Sequence, residues 1–567
     1  MSQLRLVPVG YEADTIVLKG QSVSIGRNPD NTIRVNTDQA SRYHCVIEPA
    51  PAESTDPAAS QAYRVRDLGS RNGTKVNNIR VNEWRLSPGD TIRIGGREFT
   101  IESSGSSIVE EEEPARKPSE KARGRGWRGL REELTKSAEP DWAREMRILM
   151  AGLPPKDAEP EGVSLMDASG NPSTVLDAAE SGEADGARAV KLMIQAASKS
   201  RATDIHVEPK VERHHVRMRV DGEMLPIVDL PLQVGTLVAG LIKTACQMHQ
   251  THKEAVQEGN FSAKFPDRRV DFRVSFTPSV HGQKLVLRVL DERYIPKSLA
   301  EIGMAPYMYQ RVRRVCEQDH GLLLVCGPTG SGKTTTLYNV MREIDRRTSN
   351  VITIEDPVEY RVEGVTQIPI DEQRGNDFHS LLRSVLRQDP DVILVGEIRD
   401  EETAKTAMQA SMTGHVVLST IHAKDTIAAV FRLLDLKVEP YLVANSLDLV
   451  LAQRLVRVLC DTCKRPVPVS PAQATRMGRF LAGKSSIFTA TGCAKCLRTG
   501  YRGRKAIFEL LDVTNDLRDV ILTEPTVAAI RRVIELAHFT TLVQSGWKLV
   551  ADAETSLEEI DQVAGQG

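Results

Sequence analysis

The spacing of apolar residues changes along this chain and divides it into segments with different secondary structure. Residues 1–102 alternate between apolar and polar positions in short runs such as Thr91-Ile92-Arg93-Ile94, which predicts a small β-sandwich. Between 175 and 295 an amphipathic helix at 187–197 precedes alternating strands, which predicts an α+β domain. From about 321 to 460 short, continuous apolar runs alternate with helical patterns. That alternation predicts a parallel sheet flanked by helices.

The segment 103–174 lacks this patterning. The acidic run Glu110 to Glu113 is followed by a basic stretch that extends to Arg128, and then by Pro154-Pro155. Blocks of like charge with low hydrophobicity cannot bury enough apolar surface to offset the entropy of ordering the chain. We therefore predict a charged flexible linker here, with one short helix near residues 142–150.

Size and composition exclude several classes of protein. The chain has 567 residues, too many for one hydrophobic core, and 40% of them are hydrophobic and 26% charged. Its net charge of −2 provides no general attraction for nucleic acid, so we expect no stable nucleic-acid binding. No apolar run reaches the roughly 20 residues that span a bilayer, and the stretch Met1-Ser2-Gln3-Leu4-Arg5 lacks the apolar h-region of a signal peptide. We expect a cytoplasmic protein without a transmembrane segment.

One glycine-rich stretch has the sequence of a phosphate-binding loop. It follows the apolar run 322–326, opens into a helical pattern at Thr335, and reads Gly327-Pro328-Thr329-Gly330-Ser331-Gly332-Lys333-Thr334. The glycines let backbone N–H groups turn towards phosphate oxygens at a helix N-terminus. Lys333 would reach the β- and γ-phosphates, and the Thr334 hydroxyl would hold Mg²⁺. The sequence therefore predicts that residues 327–335 bind ATP with Mg²⁺.

The N-terminal segment 1–102 resembles the forkhead-associated (FHA) family. The resemblance is carried by Ile25-Gly26-Arg27, Ser41-Arg42-Tyr43-His44, the stretch from Asp67 to Thr74 and the stretch from Pro88 to Gly95. It implies a domain that reads phosphothreonine peptides, because guanidinium groups make charge-assisted hydrogen bonds to phosphate. The residues that it implies for phosphopeptide binding are Arg27, Ser41, Arg42, Arg71 and Asn72. His44 matches the buried structural histidine of the family.

From residue 175 onwards the chain resembles the hexameric ATPases of type II secretion and type IV pilus assembly. The strings from Ser200 to Pro209 and from Val280 to Lys284 match the second N-terminal domain of that family. In the family, this domain lends arginines to the nucleotide. The candidates here are Arg217, Arg219, Arg273 and Arg288. One departure is the segment from Thr251 to Gly259, where the family usually carries a basic, proline-containing loop.

Three further strings downstream of the phosphate loop match the same family. Residues 351–359 correspond to its Asp box, 389–400 to its Walker B segment and 413–423 to its His box. An apolar strand that ends in a carboxylate can orient or deprotonate the attacking water and complete the Mg²⁺ shell. We expect Glu397 to be the principal residue for this role and Glu355 to be an alternative or cooperating base. His422 would sense the γ-phosphate, with His415 the weaker candidate.

Two pairs of cysteines predict a metal site. They are Cys460-Asp461-Thr462-Cys463 and Cys493-Ala494-Lys495-Cys496, which together offer the four thiolates that a structural Zn²⁺ prefers. The long loop between the pairs is typical of the secretion ATPases, and retraction motors usually lack it.

These segments define a multidomain protein. The predicted domains are an FHA β-sandwich (1–102), the linker (103–174), the α+β second N-terminal domain (175–295), a RecA-like P-loop ATPase domain (296–459), the tetracysteine insertion (460–500) and a helical C-terminal domain (501–567).

The predicted function is an ATP-hydrolysing motor that powers type II secretion or type IV pilus assembly. The resemblance implies a homo-hexamer that acts on a platform protein at the cytoplasmic face of the inner membrane. The FHA domain adds phosphothreonine-dependent recruitment or regulation. Two alternatives remain open at this point. One is a retraction or DNA-uptake motor on the same fold. The other is a phosphopeptide-binding adaptor whose conformation changes when nucleotide binds, without hydrolysis.

Overall fold

The chain forms two compact units, Met1–Gly124 and Arg125–Gly567. The computed structural model describes residues 4–9, 16–18, 22–28, 30–35, 37, 40–49, 63–70, 72–77, 79–86, 89–94, 97–103, 140–154, 163–174, 184–537 and 539–565.

The first unit is a β-sandwich, as its alternating pattern predicts. Its described strands are β1 (Leu4–Val9), β2 (Ile16–Val17), β3 (Val23–Gly26), β4 (Ile33–Arg34), β5 (Cys45–Pro49), β6 (Tyr63–Asp67), β7 (Thr74–Val76), β8 (Ile79–Val81), β9 (Glu83–Leu86), β10 (Thr91–Ile94) and β11 (Arg97–Ser103). One sheet has the order β2-β1-β11-β10-β7-β8 and the other β4-β3-β5-β6-β9. Inward-facing residues of both sheets, among them Ile25, Ile47 and Ile92, form one core.

The second unit begins with an antiparallel sheet that carries helices. The helices are α1 (Asp141–Gly152), α2 (Ala184–Ser200) and α3 (Leu232–Ala245), and the strands are β12 (Ser164–Met166), β13 (Pro172–Ser173), β14 (Ala202–Pro209), β15 (Arg213–Val220), β16 (Glu223–Pro231), β17 (Gln257–Lys264), β18 (Arg269–Ser279) and β19 (Gly282–Leu290). Their order in the sheet is β13-β12-β17-β18-β19-β14-β15-β16. Residues of α1, α2 and α3 form a single core with the inward residues of the sheet.

Part of the predicted linker belongs to this domain. The helix expected near 142–150 is α1, which buries Trp142, Ala143, Met146 and Met150. Strands β12 and β13 also lie in the segment 103–174, and β12 pairs with β17. The folded domain therefore starts before the predicted boundary at 175. The sequence pattern did not indicate this, because β12 is short and its Leu165 pairs with Ala263, a residue of a strand almost a hundred residues away along the chain.

A seven-stranded sheet forms the centre of the second unit. Its strands are β20 (Gly321–Cys326), β21 (Val351–Glu355), β22 (Thr366–Pro369), β23 (Val392–Val395), β24 (Val416–Ile421), β25 (Leu447–Leu459) and, beyond the small sheet described below, β28 (Tyr501–Asp512). The order is β22-β21-β23-β24-β20-β25-β28, and all neighbouring pairs are parallel except β25 with β28. Parallel strands covered on both faces read as continuous apolar runs, and β20, β21, β23 and β24 are buried along their whole length.

Helices cover both faces of this sheet, and the last described helix ends at Val563. They are α4 (Pro306–Cys316), α5 (Lys333–Glu343), α6 (Phe378–Val385), α7 (Glu401–Met412), α8 (Thr426–Asp435), α9 (Pro440–Ser446), α10 (Pro471–Met477), α11 (Asn515–Thr523), α12 (Val527–Glu535), α13 (Leu542–Ala551) and α14 (Leu557–Val563). Strands β26 (Arg465–Pro468) and β27 (Ser486–Thr489) form a small hairpin sheet inside the predicted insertion. The segment 501–567 therefore begins with a sheet strand, β28, and becomes helical only after it.

Candidate active site

The phosphate loop lies at the carboxyl end of the central parallel sheet. Strand β20 ends at Cys326, the loop occupies residues 327–332, and α5 begins at Lys333. In open α/β sheets the loops at this edge bind ligands, because parallel strands all deliver their following loops to the same side. The strand, loop and helix thus have the arrangement that the motif requires.

Two glycines in the loop leave no room for a side chain. Gly327 has φ +156°, and a Cβ there would lie 2.5 Å from Ser331 Oγ and 2.6 Å from the Gln453 carbonyl oxygen. Gly332 has φ +87°, and its Cβ would lie 2.8 Å from Gln453 Nε2. The loop is therefore pressed against a neighbouring strand, and glycine is required both for backbone conformation and for close packing.

The Lys333 ammonium group is held by the carbonyl groups of the loop itself. Its Nζ donates to the Gly327 carbonyl at 2.9 Å and to the Pro328 carbonyl at 3.2 Å. Burial lowers the pKa of Lys333, while the nearby Glu397 carboxylate opposes that shift. Thr334 follows in the first turn of α5 and is exposed.

Glu397 lies between the side chains of an arginine and a histidine. It follows β23, and its side chain is 15% exposed. One carboxylate oxygen pairs with Arg399, and the other lies 3.3 Å from His422 Nε2. Glu397 and His422 therefore come together from the Walker B and His box segments, on the side of the sheet where Lys333 lies.

Glu355, the last residue of β21, has a different environment, although it lies at the same edge of the sheet. It is 3% exposed. Its Oε1 accepts hydrogen bonds from Thr353 Oγ1 at 2.5 Å and from Gln367 Nε2 at 3.2 Å, and its Oε2 accepts from the Tyr338 hydroxyl. Burial and the Glu355 carboxylate raise the pKa of Tyr338. Since Tyr338 lies on α5, Glu355 is tied to the helix that follows the phosphate loop.

The two histidines of the His box lie at opposite ends of β24. His422 follows the strand at its carboxyl end, and its side chain is 54% exposed. His415 precedes the strand, and its Nδ1 lies 3.0 Å from the Ala410 carbonyl oxygen. The structure brings only His422 to Glu397.

The four candidate arginines lie on the antiparallel sheet and have partners within the chain. Arg217 pairs with Glu208 at 2.6 Å, Arg219 with Asp204 at 3.7 Å and Arg288 with Asp204 at 3.5 Å. Burial alone would raise the pKa of Glu208, but the hydrogen bonds and charges of Arg217 and Lys284 lower it to about 2.

Arg273 alone among these four reaches the segment that follows Glu355. It donates to the Val358 carbonyl and to the Glu359 carbonyl at 3.2 Å, and it pairs with the Glu359 carboxylate at 3.4 Å. A charged residue of the antiparallel sheet is thereby hydrogen-bonded to the Asp box of the same chain.

The four predicted metal ligands converge. The Sγ atoms of Cys460, Cys463, Cys493 and Cys496 all lie within 4.8 Å of one another. Three of the Sγ–Sγ separations are 3.7, 3.8 and 3.9 Å. A tetrahedral Zn²⁺ with bonds of about 2.3 Å requires sulfur atoms about 3.8 Å apart, so the thiols fit this ion.

In the first unit, a buried histidine joins the loops that carry the predicted phosphopeptide residues. His44 Nδ1 accepts a hydrogen bond from the Ser41 N–H at 3.1 Å, and its Nε2 lies 3.2 Å from the Gly73 carbonyl oxygen. The Arg27 N–H donates to the Ser41 carbonyl at 2.9 Å. Arg27, Ser41 and the neighbouring Arg42 and Asn72 therefore lie on connected loops at one end of the sandwich. Arg71 lies outside the described residues.

Known proteins share both halves of this architecture. A family model described as "Type II/IV secretion system protein" matches residues 179–562, and an FHA domain model matches residues 23–95. The chain belongs to the type II/IV secretion system protein family.

Individual relatives agree with this assignment. Type II secretion system protein E of Aeromonas hydrophila is 40% identical over 376 residues, which are 66% of this chain and 75% of the relative. Type II secretion system ATPase E of Vibrio cholerae is 39% identical over 382 residues, covering 67% and 76% of the two chains. The X-ray structure of the Legionella pneumophila ATPase DotB shares the fold, with 19% identity, a TM-score of 0.51 and coverage of 66% of this chain and 94% of that one.

The family membership confirms the predictions of an ATPase and of an FHA domain. Within the described ranges, no helix combines the length and apolar composition needed to cross a membrane.

Sequence reasoning missed two residues of the site, Gln453 and Arg454. Gln453 contacts the phosphate loop, and Arg454 contacts the loop after His422. The available signal was a polar pair inside the apolar strand from Leu447 to Leu459, because polar groups in a buried strand need hydrogen-bond partners.

Proposed function

We propose that this protein hydrolyses ATP as the hexameric motor of a type II secretion system or of type IV pilus assembly. The proposal rests above all on the convergence of Lys333, Glu397 and His422 beside the phosphate loop. Membership of the secretion ATPase family supports the choice of process. Its partner is an inner-membrane platform protein, and the motor acts at the cytoplasmic face of that membrane.

Each residue of the phosphate site has a specific role in this proposal. Lys333 exchanges its bonds to the Gly327 and Pro328 carbonyls for the β- and γ-phosphates of ATP. Thr334 and Glu397 hold Mg²⁺, which when bound neutralises charge on the phosphate oxygens. The loop N–H groups orient the phosphates at the N-terminus of α5.

Glu397 is the principal residue that orients and deprotonates the attacking water. Its partners Arg399 and His422 both lie on loops at the edge of the sheet. When ATP binds and moves these loops, an oxygen of the Glu397 carboxylate is released from its partner and can contact the water. Glu355 has both oxygens engaged by Thr353, Gln367 and Tyr338, and it cooperates by fixing α5. His422 senses the γ-phosphate through its contact with Glu397.

The candidate arginines complete the site across subunits of a ring. An arginine stabilises the negative charge that develops on the transferring phosphoryl group. Arg217, Arg219 and Arg288 exchange their carboxylate partners for phosphate, while Arg273 holds the Asp box of its own chain. A monomer with full activity would contradict this assignment.

Two further modules complete the proposed machine. The four cysteines hold a structural Zn²⁺ that fixes the insertion between β25 and β28. The FHA domain binds a phosphothreonine-containing protein through Arg27, Ser41, Arg42, Arg71 and Asn72, and so recruits or regulates the motor.

The proposal is tested by measuring ATP hydrolysis against protein concentration for wild type, Glu397→Gln and Glu402→Gln. We expect cooperative turnover in wild type and about 100-fold or greater loss in Glu397→Gln, the scale of a lost general base. Glu402 has a side chain that is 76% exposed, and its variant should retain wild-type turnover. Tight nucleotide binding with equally negligible turnover in wild type and Glu397→Gln, despite a confirmed ring, would favour the nucleotide-switched adaptor instead.

A further inference from the structure

Strand β25 extends beyond the carboxyl edge of the parallel sheet, next to the phosphate loop. Its last pairing with β20 joins Ala452 to Cys326, and β20 then ends. The continuation of β25, residues 453–459, pairs with β28 from Gln453 opposite Phe508 to Leu459 opposite Tyr501. We call residues 453–459 the overhang. It lies where the loops after parallel strands bind nucleotide.

Gln453, the first residue of the overhang, connects two parts of the phosphate-binding segment. It is 2% exposed. Its Nε2 donates to the Ser331 carbonyl at 2.8 Å, and its Oε1 accepts from Thr336 Oγ1 at 2.6 Å. One amide therefore fixes the last turn of the loop relative to the first turn of α5. A carboxylate in this place has no hydrogen to donate to the Ser331 carbonyl.

Arg454, the next residue, contacts a second loop of the site. Because successive side chains of a strand point to opposite faces, Arg454 contacts a different loop from the one that Gln453 contacts. The Arg454 Nη2 donates to the Lys424 carbonyl at 2.6 Å, and Nη1 donates to the Gln453 carbonyl at 3.2 Å. Lys424 lies between His422 and Asp425, whose side chain caps the N-terminus of α8. Arg454 thus holds the backbone of the loop that carries His422.

We propose that Gln453 and Arg454 are positioning residues for the ATPase reaction. Gln453 keeps the backbone of the phosphate loop in the conformation that binds phosphates, and Arg454 keeps His422 beside Glu397. This inference rests on the proposed function, ATP hydrolysis at the loop 327–334. A preorganised loop binds more tightly because less conformational freedom is lost when the nucleotide arrives.

Nucleotide affinity tests the role of Gln453. ADP binding is measured by titration calorimetry for wild type, Gln453→Ala, Thr336→Val and the double variant. We expect each single variant to bind ADP about tenfold more weakly, as loss of a buried hydrogen bond implies. The double variant should be little weaker than the worse single variant, since both single variants remove the Thr336–Gln453 hydrogen bond. Gln409→Ala, an exposed glutamine on α7, is the matched control and should bind as wild type.

Two results would overturn the role of Gln453. One is ADP affinity within about twofold of wild type in folded Gln453→Ala. The other is additive weakening in the double variant, which would show that the two side chains act independently. If Gln453→Ala fails to fold, Thr336→Val still decides, because it removes the Thr336–Gln453 hydrogen bond that fixes the Gln453 amide and keeps the shape of the side chain.

Turnover kinetics test the role of Arg454. In Arg454→Lys we expect kcat to fall about tenfold with unchanged ADP affinity, and no further fall when His422→Ala is added. Unchanged kcat, or a full additional loss on combining the two changes, would overturn this role. Failure of the proposed function gives a different result from failure of these positioning roles. Wild type itself would then bind nucleotide without hydrolysing it, while the ADP affinities would still report on the role of Gln453.

Discussion

At the scale of single residues, two acids at the carboxyl edge of one sheet have different surroundings. Glu355 is saturated by neutral donors from Thr353, Gln367 and Tyr338, whereas Glu397 is paired with Arg399 and His422. A buried carboxylate needs several hydrogen bonds to remain stable, and those bonds also fix the groups that donate them. The same residue type therefore serves structure at one position and, in our proposal, chemistry at the other.

His44 shows how burial and hydrogen bonding select one protonation state. Its Nδ1 accepts a bond from the Ser41 N–H, so the proton of the neutral ring is on Nε2, facing the Gly73 carbonyl. Burial lowers the pKa of His44, against the opposing effects of the Gly73 carbonyl and Asp67. Protonation of Nδ1 would break the bond that holds Ser41 in place.

This environment predicts that acid destabilises the first unit. Because the folded pKa lies below the ordinary value of 6.5, the unfolded chain takes up the proton first as the pH falls. The free energy of unfolding should be constant above that value, decrease below it and level off below the folded pKa. Urea unfolding of residues 1–124 between pH 7.5 and 5.5 measures this, and His44 is the one histidine in that sequence. Constant or rising stability on acidification would contradict it.

At the scale of elements, strand β25 links the nucleotide site to the tetracysteine module. The overhang ends at Leu459, and Cys460 follows at once. The Cys460 N–H donates to the Gly500 carbonyl at 2.9 Å, so the cysteines close the ends of β25 and β28 together. A long insertion between paired strands is entropically free to move unless its base is fixed.

We therefore predict that metal removal weakens nucleotide binding as well as the fold of the insertion. The purified protein should carry about one Zn²⁺ per chain. Chelation, or Cys493→Ser, should lower the melting temperature and reduce ADP affinity several-fold, because the overhang that carries Gln453 loses its fixed end. Metal analysis and calorimetry measure these effects.

The control for this prediction is Cys316→Ser, a cysteine on α4 that lies outside the tetracysteine group. It should leave metal content unchanged. If protein shown to be free of metal binds ADP with wild-type affinity, the tetracysteine site does not influence the nucleotide site and the prediction is contradicted.

At the scale of the whole molecule, the second unit joins its two large sheets through polar contacts. The turn between β15 and β16 meets β28, where the Gly503 N–H donates to Asp221 at 2.7 Å, and the start of β16 meets β25, where Arg457 pairs with Glu223 at 2.6 Å. Arg273 reaches the Asp box elsewhere. Polar contacts between domains permit relative motion more readily than a large apolar interface does. That property suits a motor.

The first unit leads to a prediction about phosphorylated partners. In the full chain, a phosphothreonine peptide should bind at least tenfold more tightly than the same peptide unmodified, because guanidinium and phosphate form charge-assisted bonds. Arg27→Ala should remove most of this preference. Arg5→Ala, an exposed arginine on β1, is the matched control and should preserve it. Fluorescence anisotropy with labelled peptides measures both, and equal affinity for the two peptides would exclude phosphothreonine reading.

The sequence alone determined the features whose residues are close together in the chain. The phosphate loop, the apolar strands ending in Glu355 and Glu397, and the two cysteine pairs are local patterns, and local backbone chemistry fixes what each can form. The alternation of strands and helices likewise predicted the parallel sheet, but its last strand, β28, comes from beyond the insertion and is antiparallel.

Tertiary structure decided what depends on contacts between distant segments. Gln453 meets Ser331 and Thr336 across more than a hundred residues of chain, and only the register of β25 beyond β20 brings them together. The same long-range packing decided that His422 meets Glu397 while His415 lies at the opposite edge. A linear pattern specifies which residues are polar or apolar, whereas the partner of a buried polar group is set by the strand order and register of the folded sheet.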